Sequence, residues 1–72
     1  MRKKDYSKLR GRIVEKFGTQ TAFAEAMGTT RNTMSYKLKG VRIISTRDIE
    51  KWSEALDIPA KEIGLYFFTY KV

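Results

Sequence analysis

Short helical periods of apolar residues, each closed by a glycine, run through the first half of this chain. In the first period three apolar side chains recur at i, i+4 and i+8, and this spacing predicts a helix over residues 6–17. Because glycine readily takes the left-handed conformation that ends a helix, each glycine marks a boundary. The pattern therefore predicts several short helices. The residues concerned are Leu9, Ile13 and Phe17 in the first period and Gly18, Gly28 and Gly40 at the three boundaries.

Two of these helices lie between the glycines and are separated by a tight turn. Thr19 is a favourable N-cap for a helix over residues 20–27, and a third helix is expected over residues 31–38. In the third helix Met34 and Leu38 are four positions apart, so both are expected to face the core. Two short helices joined by a turn that contains glycine are typical of a helix-turn-helix.

The second half of the chain predicts two more helices. Ser45, with Asp48 three residues later, is a weaker form of the capping box at the start of a fourth helix. Trp52 lies on the inner face of that helix and is interpreted as a core residue. Residues 62–66 complete a short fifth helix. The fold class expected from these patterns is all-α, a compact domain of five helices.

The end of the chain has a different period. In residues 66–72 every second side chain is aromatic or β-branched, and this alternation indicates a possible short C-terminal β-strand. Three arrangements remain open: a strand that pairs with the same segment of a second copy, a tail folded back on its own core, or an extension of the fifth helix. The first is favoured, because an exposed apolar edge invites pairing, and it predicts a homodimer.

The positive charge of the chain is concentrated in its first part. Residues 1–42 hold 11 Lys or Arg and 3 Asp or Glu, a net charge of +8, whereas residues 43–72 hold 4 and 5, a net charge of −1. A basic segment suits a polyanion, because each cation that neutralises a phosphate releases condensed counterions. Residues 1–5 are interpreted as a flexible basic arm, with a disordered basic start as an equal alternative.

Composition argues against several classes of function. The 72 residues make one domain and include no cysteine or histidine. The commonest general base, the thiol nucleophile and the usual transition-metal ligands are therefore absent, and we expect neither catalysis nor a cofactor or metal. No apolar run approaches the roughly 20 residues that span a bilayer, and no signal peptide is evident. We expect a soluble cytoplasmic protein that does not bind membranes.

Residues 20–40 closely resemble the helix-turn-helix of the lambda-repressor-like and Cro-like family. Gln20 stands at the first position of the motif, Ala24 at the fifth, Gly28 at the ninth and Met34 at the fifteenth. A small fifth residue lets the two helices cross closely, and the glycine supplies the turn conformation that a Cβ would penalise. The combination of these residue types at these positions is fairly specific.

One position departs from the pattern of this family. The usual second apolar residue of the recognition helix is replaced by Lys37, with Leu38 next to it. Met34 and Leu38 still share one face of the helix, so the packing can be kept. The resemblance extends over about residues 6–65 and implies the five-helix plan of these domains.

The resemblance implies a sequence-specific regulator of transcription, of phage or prophage origin, that occupies a near-palindromic operator in double-stranded DNA. Its recognition helix would lie in the major groove, where Arg31 suits guanine and Asn32 suits adenine. An antitoxin, or an adaptor that binds proteins with the same helices, stays as the alternative. The implied base contacts are Thr30, Arg31, Asn32, Ser35 and Tyr36, and the implied phosphate contacts are Gln20, Thr21, Lys37, Lys39 and Arg42.

Overall fold

A computed structural model describes residues 4–70, and within this range the chain forms five α-helices. A three-residue 3-10 turn, Ala60–Glu62, leads directly into the last of them. The expected all-α fold is confirmed, and the third helix has the bounds that its apolar spacing predicts. The helices are α1 (Ser7–Phe17), α2 (Gln20–Ala26), α3 (Arg31–Leu38), α4 (Thr46–Ala55) and α5 (Ile63–Phe67).

Side-chain caps start the three central helices. The Thr19 hydroxyl accepts a hydrogen bond from the Ala22 N–H at the start of α2, at 3.0 Å. Ser45 and Asp48 form the full reciprocal capping box of α4, because each side chain accepts from the other residue's backbone N–H, at 3.1 and 3.2 Å. These bonds satisfy amides that have no partner inside the helix, which is why short helices form at these positions.

Gly28 makes the turn between α2 and α3. Its φ is +74°, in the left-handed region, and the next amide, Thr29 N–H, donates to the Ala24 carbonyl at 3.0 Å. A Cβ built on Gly28 would meet nothing within 4 Å, so the backbone angle rather than crowding favours glycine here. Ala24 is 1% exposed, as expected for the small residue at the helix crossing.

One cluster of apolar side chains holds the five helices together. A chain of ring contacts crosses it: Phe17 to Phe23 with ring centroids 5.1 Å apart, Phe23 to Trp52 at 5.4 Å, and Trp52 to Phe67 at 6.3 Å. Trp52 is 2% exposed, which confirms it as a core residue. The buried side chains are Tyr6, Leu9, Ile13, Phe23, Ala24, Met34, Leu38, Ile44, Trp52, Leu56, Ile58, Tyr66 and Phe67.

The two ends of the described chain lie side by side. Lys4 and Tyr70 form a single antiparallel bridge, and the Asp5 N–H donates to the Thr69 carbonyl at 2.6 Å. Burial first, and then the neighbouring Tyr70, raises the pKa of the Tyr6 hydroxyl above its ordinary value. The fifth helix ends at Phe67, and the segment after it folds back on the chain's own start. Pairing of this segment with a second copy stays a prediction.

The prediction of a strand over residues 66–72 needs correction for its first part. Tyr66 and Phe67 are consecutive buried residues in α5, whereas a strand would point them to opposite faces. Packing of Phe67 against Trp52 outweighs the strand preference of the aromatic residues. Lys71 and Val72, like Arg2 and Lys3 of the predicted basic arm, lie outside the described residues.

Candidate nucleic-acid interface

The outer face of α3 presents three of the predicted base contacts to solvent. Met34 and Leu38 are 0% and 2% exposed, so they fix which side of the helix faces the core. Arg31 and Asn32 are exposed in the first turn, and Tyr36 is 44% exposed one turn later. Within residues 4–70, the side chains of Arg31 and Asn32 make no hydrogen bond or ion pair, so their donors and acceptors are available to a ligand.

Thr30 and Ser35 are less available than their neighbours. The Thr30 hydroxyl accepts from the Thr33 N–H at 3.1 Å and donates to the Thr33 hydroxyl at 3.0 Å, so it serves as the N-cap of α3. Ser35 is half-buried. Of the predicted base contacts, Arg31, Asn32 and Tyr36 are therefore the ones whose side chains are exposed and not used as a helix cap.

Lys37, one of the predicted phosphate contacts, forms an ion pair within the protein. Its ammonium is 2.7 Å from Asp48 Oδ2 and 6.0 Å from the centroid of the Trp52 ring, and its side chain is 20% exposed. The ammonium is therefore engaged by α4 and turned from solvent. This placement gives the Lys37 ammonium a partner within the protein, and its assignment to a phosphate stays a prediction.

The other predicted phosphate contacts are accessible to different degrees. Lys39 and Arg42 are exposed just beyond α3, and the guanidinium of Arg42 stacks 6.0 Å from the centroid of the Tyr36 ring. Thr21 is exposed in the first turn of α2, and Gln20 beside it is half-buried. The structure thus brings Arg42 next to one predicted base contact, Tyr36.

The electrostatic character of this surface follows from one gap in the sequence. Between Glu25 and Asp48 there is no Asp or Glu, whereas five Lys or Arg fall in the interval. The first acidic side chain after the gap, Asp48, is occupied by Lys37. The remaining cations, Arg31, Lys39, Arg42 and Arg47, are all exposed, so the charged side chains that residues 26–47 present to solvent are all cationic.

Two cations that the sequence patterns did not single out hold α2 and α3 in place. The Arg10 guanidinium of α1 donates to the Leu38 carbonyl at 3.2 Å, and the Lys51 ammonium of α4 donates to the Met27 carbonyl at 2.8 Å. Each caps the carboxyl end of a helix, where positive charge is favourable. Their partners are 28 and 24 residues away, so no local pattern marks them.

The loop after α3 displays two apolar side chains to solvent. Val41 and Ile43 are 71% and 88% exposed, whereas Ile44 is buried. The N–H groups of Val41 and Arg42 both donate to the Tyr36 carbonyl, at 2.9 and 3.2 Å. The loop is therefore fixed at both ends while its apolar side chains face outward.

Two features are absent from the part of the chain that the structure describes. Residues 4–70 contain no cluster of three or more acidic, cysteine or histidine side chains that could hold a metal ion. None of the helices in that range is long and apolar enough to cross a membrane.

Comparison with known proteins adds a family and a solved structure. Residues 3–70 match the family described as "Protein of unknown function (DUF739)". The fold is similar to the solution structure of the modulator of repression of the temperate bacteriophage TP901-1 from Lactococcus lactis, with a TM-score of 0.76 and 42% sequence identity over 90% of this chain and 88% of that one. No curated protein matches. The match over nearly its whole length shows that the chain belongs to the DUF739 family.

Proposed function

We propose that this chain is a phage regulatory protein that binds double-stranded DNA, with α2 and α3 acting as a helix-turn-helix of the lambda-repressor-like and Cro-like kind. The observation that carries the proposal is the exposed outer face of α3, which combines unengaged Arg31 and Asn32 side chains with an interval free of acidic residues. A polar, cationic helix face of this kind suits the floor and walls of the major groove.

Arg31 and Asn32 are the residues we assign to direct reading of bases. Both lie in the first turn of α3, the part of a recognition helix that reaches base edges. A guanidinium can bond guanine with two donors, and an amide can bond adenine with a donor and an acceptor; each such pair contributes about 1–3 kcal/mol of discrimination. Tyr36, one turn later, and Ser35 complete the proposed face.

The contacts to phosphates are assigned to exposed groups around that face. Lys39 and Arg42 follow α3, and Thr21 with Gln20 begins α2. Such contacts position the protein on the duplex without reading sequence. Their contribution should fall steeply as salt rises, since each neutralised phosphate releases counterions.

Operator occupancy by a homodimer completes the proposal. A near-palindromic operator would place two α3 helices about 34 Å apart on one face of the duplex. Leu65, Phe68 and Tyr70 are 53%, 49% and 46% exposed at the end where the termini meet, and a second copy could cover them. The similarity to a phage modulator of repression supports a regulatory role.

Selection from a pool of random duplexes, followed by sequencing, tests the proposal. The wild-type protein should enrich a symmetric motif; Arg31→Ala should relax preference at one base position, and Lys39→Ala should weaken binding to all sequences equally. Lys61→Ala is the matched control, because Lys61 is also an exposed lysine and lies in the turn before α5. If Arg31→Ala and Lys39→Ala both act uniformly, Arg31 does not read a base.

An adaptor that binds a protein is the second candidate, and the exposed Val41 and Ile43 favour it. Apolar side chains held outward beside cations suit a protein surface better than a phosphate backbone. The double change Val41→Ser and Ile43→Ser separates the two functions. For a DNA-binding regulator it should leave duplex binding intact, whereas for an adaptor it should abolish control of a reporter promoter although α3 is unchanged.

A further inference from the structure

The ion pair between Lys37 and Asp48 is the most shielded of those described within residues 4–70. Both side chains are 20% exposed, and the ammonium is 2.7 Å from Oδ2. The pairs of Arg12 with Glu15 and Lys16 with Asp57 each include a carboxylate that is 64% or 72% exposed. Exposed pairs of that kind contribute little, whereas a shielded pair with further hydrogen bonds fixes its geometry.

The same carboxylate oxygen serves two helices. Asp48 Oδ2 accepts from the Lys37 ammonium and from the Ser45 N–H, the latter at 3.2 Å. It is therefore part of the capping box that starts α4 and also the acceptor for a side chain of α3. The stem of Lys37 carries the ammonium over Trp52, whose ring centroid lies 6.0 Å away. One lysine thus joins α3 to the amino end of α4.

The groups that flank this pair are the ones assigned to DNA. Tyr36 is adjacent to Lys37, its carbonyl accepts from the Val41 and Arg42 amides, and its ring faces the Arg42 guanidinium at 6.0 Å. Successive helical residues are about 100° apart around the axis, so an anchor at Lys37 restricts how far α3 can turn. A rotation of α3 about its axis would move Tyr36 and the loop that is hydrogen-bonded to its carbonyl.

We infer that Lys37 is a positioning residue for sequence recognition, which ties α3 to the Asp48 cap of α4 and so sets the direction of Tyr36 and Arg42 without contacting DNA. This inference rests on the proposed DNA-binding function. It replaces the sequence-based assignment of Lys37 to a phosphate and explains why a lysine is accepted at a position where an apolar residue is usual.

Salt dependence of duplex binding distinguishes positioning from contact. A lysine that neutralises a phosphate adds about 0.9 to the magnitude of the slope of log affinity against log salt. Lys39→Met should lower the slope by that amount, whereas Lys37→Met should leave it at the wild-type value. Lys37→Met should also reduce the preference for the best duplex over a scrambled one by at least about fivefold, the lower end of what one base contact supplies.

Two further variants separate this role from general stabilisation. Asp48→Asn keeps an oxygen for the Ser45 N–H but removes the charge, and it should reduce the preference as Lys37→Met does. Lys37→Arg keeps a cation for Asp48 and should restore the preference. A lowered salt slope in Lys37→Met, or an unchanged preference in both Lys37→Met and Asp48→Asn, would overturn the inference.

Amide chemical shifts test the inference even if the wild-type protein binds no duplex. That result would remove the proposed function, but the anchor still predicts matching displacements of the Tyr36 and Arg42 amide signals in Lys37→Met and Asp48→Asn. Lys37→Arg should return both signals toward the wild-type positions. Unmoved Tyr36 and Arg42 signals in the first two variants would contradict the anchor itself.

Discussion

Helices α3 and α4 are built alike but present different surfaces. Each is short, starts at a hydroxyl N-cap, Thr30 or Ser45, and buries its inner side chains in the same core. In α4, the charged Asp48 and Lys51 are bound to α3 and to the end of α2. The charged and amide side chains at the start of α3 have no such partner among the described residues. The charged side chains of α4 therefore join it to its neighbours, whereas those at the start of α3 face solvent.

The largest difference between the two helices should appear on removal of an aromatic ring. Trp52→Ala in α4 removes a ring that contacts Phe23 and Phe67 and is 2% exposed. We expect a loss of about 3–5 kcal/mol in the free energy of unfolding, measured by urea denaturation. Tyr36→Ala in α3 is the control and should change it by no more than about 0.5 kcal/mol. Comparable losses in the two variants would erase the distinction.

A smaller loss is expected at the turn that precedes α3. Gly28→Val forces a β-branched residue to φ +74°, which costs at least about 1–2 kcal/mol. Gly11→Ala is the opposite case, because Gly11 lies within α1 and a Cβ there meets nothing within 4 Å. It should stabilise the protein by about 0.5–1 kcal/mol. Thermal unfolding of both variants measures these effects. A stability of Gly28→Val equal to that of the wild type would show that Gly28 does not form the turn.

The stabilisation from the Lys37–Asp48 ion pair between α3 and α4 should depend on pH. Burial raises the pKa of the Asp48 carboxyl, but hydrogen bonds from Lys37 and from the Ser45 backbone, together with the Lys37 charge, outweigh it and hold that pKa below its ordinary value. The stabilisation is therefore complete above the ordinary carboxyl range and lost as pH falls through the lowered value. Unfolding measured against pH should show wild type and Asp48→Asn converging in acid. A gap that persists there would contradict the assignment.

The smallest effect on stability is expected at the proposed base contact. Arg31→Ala removes an exposed side chain without a partner in residues 4–70, so the free energy of unfolding should change by no more than about 0.5 kcal/mol. Urea denaturation of Arg31→Ala, run together with a duplex-binding assay, measures this change. A large loss of stability would show that Arg31 supports the fold, as Lys51 does, and that α3 resembles α4 after all.

Features that depend on neighbouring residues could be predicted from the sequence. The capping box of Ser45 and Asp48, the bounds of α3 and the burial of Met34 and Leu38 each follow from spacings of three or four positions. Such patterns lie within one helical turn, so they predict local structure wherever tertiary packing favours the same conformation.

Features set by distant partners could not be predicted. The charge of Lys37 indicated a phosphate contact, but Asp48, eleven positions away, takes its ammonium. The alternation of aromatic residues at the end indicated a strand, but Trp52 holds Phe67 in a helix. In both cases the deciding contact joins residues that are distant in sequence, and no local pattern predicts that they meet. Residue type alone therefore did not predict the surroundings of Lys37 or Phe67.

The central claim is that the unengaged cationic face of α3 binds duplex DNA, and a salt titration of that binding tests it most directly. Affinity of the wild-type protein for its best selected duplex should fall steeply between about 50 and 200 mM salt, with a slope reduced by about 0.9 in Lys39→Ala and unchanged in Lys61→Ala. Failure to bind any duplex at the lowest salt, or a slope that no exposed lysine around α3 alters, would contradict the claim.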